Sequence, residues 1–199
     1  MLDLEIKNYV SLNELADQNG IVIFGGSEDK DIPLCELRQA FSIESKLYNR
    51  SMSNLSVTDA ATVYESIVAP INPETVLLHI GSADLELFTE NPSEFDQRYR
   101  NFINYIKFVN KKCRIAVISL RNHNNLAVIS EMNKHLKYIA ESERCDFGDI
   151  AEKRVWNPKE TKDIVSFVYS TGFIQPLKNR RPIFDLIKIL FCYEPVLEG

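Results

Sequence analysis

Apolar residues fall into two kinds of run along this chain. Short unbroken blocks, Ile21-Val22-Ile23-Phe24, Thr75-Val76-Leu77-Leu78-His79-Ile80 and Arg114-Ile115-Ala116-Val117-Ile118-Ser119-Leu120, read as strands buried on both faces. Lys46-Leu47-Tyr48-Asn49 adds a shorter strand, and Cys145-Asp146-Phe147-Gly148-Asp149-Ile150 a weaker one. Between these blocks the apolar positions recur at helical spacing. Ile32, Leu34, Leu37, Ala40 and Phe41 predict a helix over about 31–42, and Val57, Ala60, Val63, Tyr64 and Ile67 one that ends at Pro70. Phe95, Tyr99, Phe102 and Ile106 predict a long helix starting at Asn91-Pro92-Ser93-Glu94. Val128, Met132, Leu136 and Ile139 predict another from Leu126 to Glu143, and Phe184 to Phe191 a last one after Arg181-Pro182.

The two ends of the chain are less regular. Residues 2–9 alternate apolar and polar, which predicts a short edge strand, and Ser11-Leu12-Asn13-Glu14 matches a capping box. The helix so predicted stops at Asn19-Gly20. In residues 151–180, Ile164-Val165-Ser166-Phe167-Val168-Tyr169 fits a strand or a helix equally well.

Strands near 22, 47, 77, 117 and 147 thus alternate with helices, the pattern of a parallel sheet covered on both faces. The expected organisation is a single domain over residues 1–199, with 1–19 as a strand/helix extension. A net charge of −5 argues against nucleic acid as a partner. No apolar run approaches the roughly 20 residues of a membrane span, and the first residues do not resemble a signal peptide. Cys35, Cys113, Cys145 and Cys192 are scattered, which reads as reduced thiols and a cytoplasmic address rather than a disulfide framework or a zinc site. Gly-x-Gly-x-x-Gly and the phosphate-binding lysine loop are absent, so no cofactor or metal is expected. Oligomeric state is left open.

The candidate chemistry lies where strands end. Ligands of open α/β sheets bind beyond the carboxyl ends of the strands. The first strand ends in Gly25-Gly26-Ser27 and delivers a serine to that rim. Ser27 is either a nucleophile position or a helix cap. Glu28, Asp29 and Asp31 crowd the start of the next helix, where they favour its dipole. Arg50 and Arg121 end strands on the same rim and are candidates to hold an anionic ligand. Of the three histidines, His79 lies inside a strand and is expected in the core. His135 stands four residues after Glu131 and is expected in a surface pair. His123 follows the fourth strand and reads either as a solvated loop residue or as a base for Ser27.

Three of these loops, in order, resemble the blocks of the SGNH (GDSL-type) hydrolases, esterases on a flavodoxin-like sheet. The likeness covers roughly residues 20–150. It implies a three-layer α/β/α sandwich whose five-stranded, mostly parallel sheet has the order 2-1-3-4-5. Ser27 takes the nucleophile position, in Gly-Gly-Ser where the family has Gly-Asp-Ser. In Tyr48-Asn49-Arg50-Ser51 the oxyanion glycine is replaced by Ser51, whose backbone N–H could still serve. In Gly81-Ser82-Ala83-Asp84, Ala83 stands where the family has an asparagine amide; loss of such a donor costs about 2.7–4 kcal/mol of transition-state stabilisation. Asp84 is implied to orient the Ser27 loop. Thr171-Gly172-Phe173-Ile174-Gln175-Pro176 resembles the family's last block, with Gln175 in the place of the histidine and no aspartate three residues before it.

No histidine follows residue 135 at all. A serine hydroxyl is a poor nucleophile without a base. The favoured expectation is therefore an SGNH-like protein that binds a small acylated or carbohydrate-like ligand, or serves as an accessory module, without conventional Ser-His-Asp hydrolysis. Two alternatives stay open: an active esterase or acyltransferase using Ser27 with His123, and a flavodoxin-like domain whose likeness to the hydrolases is accidental.

Overall fold

The computed structural model describes residues 2–122, 126–151 and 183–191. Five strands form one sheet: β1 (Ile21–Gly25), β2 (Leu47–Asn49), β3 (Thr75–His79), β4 (Arg114–Ile118) and β5 (Asp146–Gly148). Their order is β2-β1-β3-β4-β5, as expected, and every pairing among the described strands is parallel. The register sets Gly25 opposite His79 at the carboxyl end of β1 and β3.

Seven helices belong to the described residues: α1 (Leu2–Asn13), α2 (Leu34–Ala40), α3 (Ala60–Ile67), α4 (Leu85–Glu90), α5 (Pro92–Val109), α6 (Ala127–Ser142) and α7 (Ile183–Phe191). They cover the sheet on both faces. Val22, Phe24, Val76, Leu78 and Val117 point to one side and pack on Tyr64, Phe102, Ile106, Leu136 and Ile139 of α3, α5 and α6. Ile21, Ile23, Leu77, Ala116 and Ile118 point to the other, against Leu37 of α2 and Leu186, Ile187 and Leu190 of α7. This alternation along each strand is what a parallel sheet buried on both faces requires. None of these described helices is long and apolar enough to cross a membrane.

Two expectations are corrected. Residues 2–9 are not an edge strand but most of α1, and Ser11–Glu14 lies at its end, where Glu14 N–H donates to Ser11 O at 3.2 Å. Ile6 and Tyr9, three residues apart on one helix face, pack against the larger core, a spacing that the apparent alternation conceals. The second concerns α4, which the apolar pattern does not predict: Leu85, Leu87 and Phe88 form a separate short helix, cut from α5 at Asn91-Pro92. Asn91 caps α5 with its side chain, accepting from Glu94 N–H at 3.2 Å, with Pro92 in the first turn. Residues 152–182, including Ile164–Tyr169, and residues 123–125 lie outside the described ones.

Candidate functional site

β1 ends in a tight approach that leaves no room for a side chain. A Cβ on Gly25 would fall 1.9 Å from Asp29 Oδ2 and 3.1 Å from Ser51 Oγ. The chain then turns through a 3₁₀ segment, Ser27–Asp29, with Asp29 N–H donating to Gly26 O. In that turn Ser27 is exposed while Asp29, two residues on, is fully buried.

Asp29 is therefore not simply an acid at a helix start. Its Oδ2 lies 2.7 Å from His79 Nδ1, and both side chains are almost entirely excluded from solvent. The His79 ring stands nearly perpendicular to that of Phe191 of α7, with centroids 5.2 Å apart. His79 Nε2, Asp29 Oδ1 and Ser51 Oγ, all buried, have no partner among the described residues. Sequence reasoning places His79 in the core but misses its carboxylate. The signal is the register of Gly25 with His79, which only sheet pairing supplies.

The Ser27 hydroxyl itself sits at the rim. Ser27 Oγ accepts from Asn54 N–H at 3.2 Å, and no titratable side chain among the described residues hydrogen-bonds to it. The neighbouring rim turn is Ser82–Asp84, entered through Gly81 with φ of +130°, a conformation that favours glycine. Ser82 and Ala83 are exposed, and a Cβ on Gly26 would approach Ser82 Oγ to 3.2 Å, so the two turns touch. Asp84 is buried below them, its two oxygens accepting from Val57 N–H at 3.1 and 3.0 Å. Burial pushes its carboxyl up to about 6; the Val57 N–H opposes this, Asp59 adds to it and Arg98 opposes it.

The loop after β2 extends this rim. Arg50 N–H donates to Ile23 O at 2.8 Å and Met52 N–H to Gly25 O at 3.0 Å, so the loop continues along β1 past the end of the strand. Ser51 is fully buried and its N–H donates to Asn49 Oδ1 at 3.0 Å, so the N–H considered for an oxyanion hole already has an acceptor. Asn49 Nδ2 donates to Asp29 O at 2.6 Å, so one amide side chain joins this loop to the Ser27 turn. Arg50 does not present its charge to the rim. Its guanidinium is bound to Asn13 Oδ1 through Nε and Nη2, at 3.1 and 2.9 Å, between the rings of Tyr9 and Tyr48. Arg121 donates through Nη2 to Phe191 O, which ties the end of β4 to α7.

The other described histidine departs from expectation. His135 pairs with Asp96 of α5, 3.0 Å from both oxygens, rather than with Glu131, which binds Lys134. His123 and Gln175 lie outside the described residues. No cluster of metal-ligating side chains occurs among the described residues.

No protein-family model matches this chain, and neither does any curated protein. Solved structures do. A protein of Streptococcus pneumonia named for platelet activating factor superposes with a TM-score of 0.64 at 14% identity, over 86% of this chain and 91% of its own. A GDSL-like lipase from Bacteroides thetaiotaomicron gives a TM-score of 0.56 at 14% identity, over 86% of this chain and 98% of its own. The fold is that of the SGNH hydrolases. A catalytic mutant of Axe2, an acetylxylan esterase from Geobacillus stearothermophilus in which a histidine is replaced by alanine, shares the SGNH fold with a TM-score of 0.53. It is 16% identical, over 68% of this chain and 78% of its own. On this SGNH sheet, the Ser27 turn, the loop after β2 and the Ser82–Asp84 turn all lie at the carboxyl ends of adjacent strands.

Proposed function

We propose that this chain is an SGNH-fold module that descends from acyl-ester hydrolases, has lost their Ser-His-Asp route, and binds a small acylated or carbohydrate-like ligand at the Ser27 rim. One observation carries the reading. Both described histidines are committed elsewhere, His79 to buried Asp29 and His135 to Asp96, while Ser27 stands exposed. The third histidine is His123, and none follows residue 135. An exposed hydroxyl without a base is suited to donating a hydrogen bond rather than attacking a carbonyl. The ligand class is supported by the acetylxylan esterases and lipases that share the fold. Scattered cysteines support a cytoplasmic address within the same proposal.

A serine-reactive fluorophosphonate and short acyl esters test this. The expected result is no Ser27-dependent labelling or turnover, together with binding of acetylated xylo-oligosaccharides that weakens in S27A. Labelling of the parent that disappears in S27A overturns it. A second reading, an active esterase or acyltransferase with His123 as base, is favoured by one detail: Asn54 N–H occupies an acceptor site of Ser27 Oγ and leaves its O–H free to donate. That reading requires labelling that is lost in both S27A and H123A.

A further inference from the structure

α1 carries three polar side chains at positions i, i+4 and i+8, one above another on a helix face. Each meets the loop that follows β2, in reverse order along the chain. Asn13 Oδ1 accepts from the Arg50 guanidinium, and Asn13 Nδ2 donates to Ile67 O at 3.0 Å. Tyr9 Oη donates to Ser51 O at 2.8 Å. Glu5 accepts from Ser53 N–H at 3.0 Å through Oε2 and from Ser53 Oγ at 2.9 Å through Oε1. The next residue, Asn54, supplies the N–H that binds Ser27 Oγ.

The same glutamate reaches the Ser27 turn directly. Lys30 Nζ donates to Glu5 Oε1 at 2.5 Å and to Ser53 Oγ at 2.9 Å. Three segments, α1, the residues just after Ser27 and the loop after β2, therefore meet at one carboxylate. Burial pushes the Glu5 carboxyl up, but the Lys30 and Ser53 bonds together hold it below its ordinary value. Burial raises the Tyr9 hydroxyl further above its ordinary value, at which it is already a donor at neutral pH. The apolar packing of α1 is made by Ile6 and Tyr9 against the core. The polar stripe is additional to it: apart from the Asn13 bond to Ile67 O at the end of α3, its partners belong to the loop after β2.

We propose that α1 is a positioning element of the Ser27 site, with Glu5, Tyr9 and Asn13 setting the path of residues 50–54 and so the amide that meets Ser27 Oγ. Its effect on ligand binding rests on the reading of Ser27 given above; its effect on the loop does not. Released from Glu5 and Tyr9, residues 51–54 keep the Met52 bond to β1 but lose the contacts on either side of it. The amide of Asn54 then exchanges with solvent and no longer holds the hydroxyl in one rotamer.

Hydrogen–deuterium exchange resolved to single amides, on the full chain, tests the proposal with E5Q, Y9F and the double variant. Y9F removes a single hydroxyl and is the variant of least consequence for folding. The expected result is at least tenfold faster exchange of the Ser53 and Asn54 amides in the double variant, with β1 and β3 amides unchanged. Exchange at Asn54 within twofold of the parent overturns the proposal, as does an equal acceleration throughout β1 and β3, which would make α1 merely part of the core. In parallel, an acetylated xylo-oligosaccharide should bind the double variant at least fivefold more weakly than the parent. If the parent binds none of it, the ligand reading of Ser27 fails while the exchange result still decides the role of α1. If parent and double variant bind it equally, α1 does not position the site and the proposal fails.

Discussion

At the scale of single residues, the Asp29–His79 pair governs how Ser27 is presented. Asp29 follows Ser27 by two residues in one 3₁₀ turn, so the buried carboxylate anchors the turn that presents the exposed hydroxyl. Removing one partner of a buried charged or hydrogen-bonded pair leaves the other uncompensated, at a cost of about 3–5 kcal/mol. H79L should therefore lower stability by about that amount, read as the shift in urea midpoint at unchanged slope. H79L combined with D29N should recover part of the loss, because an amide is far less costly to bury than an unpaired carboxylate. A loss in H79L below ~1 kcal/mol would mean that Asp29 reaches solvent or another partner. Part of this arrangement is legible in the chain. Ser27 is recognisable from Gly-Gly-Ser at the end of an apolar block, but Asp29 looks like one of three acids favouring a helix dipole. Which of the three turns inward is set by the space over Gly25, and a linear sequence does not carry that space.

At the scale of elements, the long helices are the most readable because their apolar positions repeat many times. Phe95, Tyr99, Phe102 and Ile106 mark α5, and Asn91-Pro92-Ser93-Glu94 marks its start. The Asn91 cap matters beyond its own helix, since it separates α4, which follows the Ser82–Asp84 turn directly, from α5. N91A should cost about 1 kcal/mol, measurable as a lower thermal midpoint, with the binding proposed for Ser27 unchanged at temperatures where the chain is folded. Readability fails where an element is short or its partner distant. α1 shows period-two alternation over residues 2–9, yet Ile6 and Tyr9 find the larger core and Glu5, Tyr9 and Asn13 find the loop after β2. Tertiary contacts override local pattern in such a segment, because a helix of 12 residues has little stability of its own. The Val57 segment departs in the same way: its spacing suits the buried face of α3, but the helix begins at Ala60 and Val57 N–H belongs to Asp84.

At the scale of the whole molecule, Asp84 links the fold to pH. Its carboxyl is raised to about 6 in the folded chain, from an ordinary value of 3.8 when unfolded, chiefly by burial. The folded state thus holds the proton more tightly. The stability this group contributes is fully present below the unfolded value and is lost as pH rises through about 6. Between pH 5 and 7.5 the chain should lose about 1–2 kcal/mol through Asp84. D84N keeps an oxygen for Val57 N–H without the charge, so urea unfolding of the variant at those two pH values should show that much less of a difference. An unchanged difference would show that Asp84 is not the group responsible.

Much of the architecture is determined by the sequence by itself. The order of apolar blocks and helical spacings implies a covered parallel sheet, and the three turns that end β1, β2 and β3 carry the likeness to the SGNH hydrolases. These features are local, and burial on both sheet faces leaves an unambiguous apolar signature. The lack of a histidine between residue 135 and residue 199 is equally legible in the sequence. Only the tertiary structure decided what the polar residues do. It buried Asp29 against His79, turned Arg50 toward Asn13 and away from the rim, engaged the Ser51 N–H with Asn49, and set α1 against the loop that meets Ser27. The physical reason is that a polar side chain finds its partner by direction and distance. Those come from residues tens of positions away, brought together by the pairing of β1 with β2 and β3.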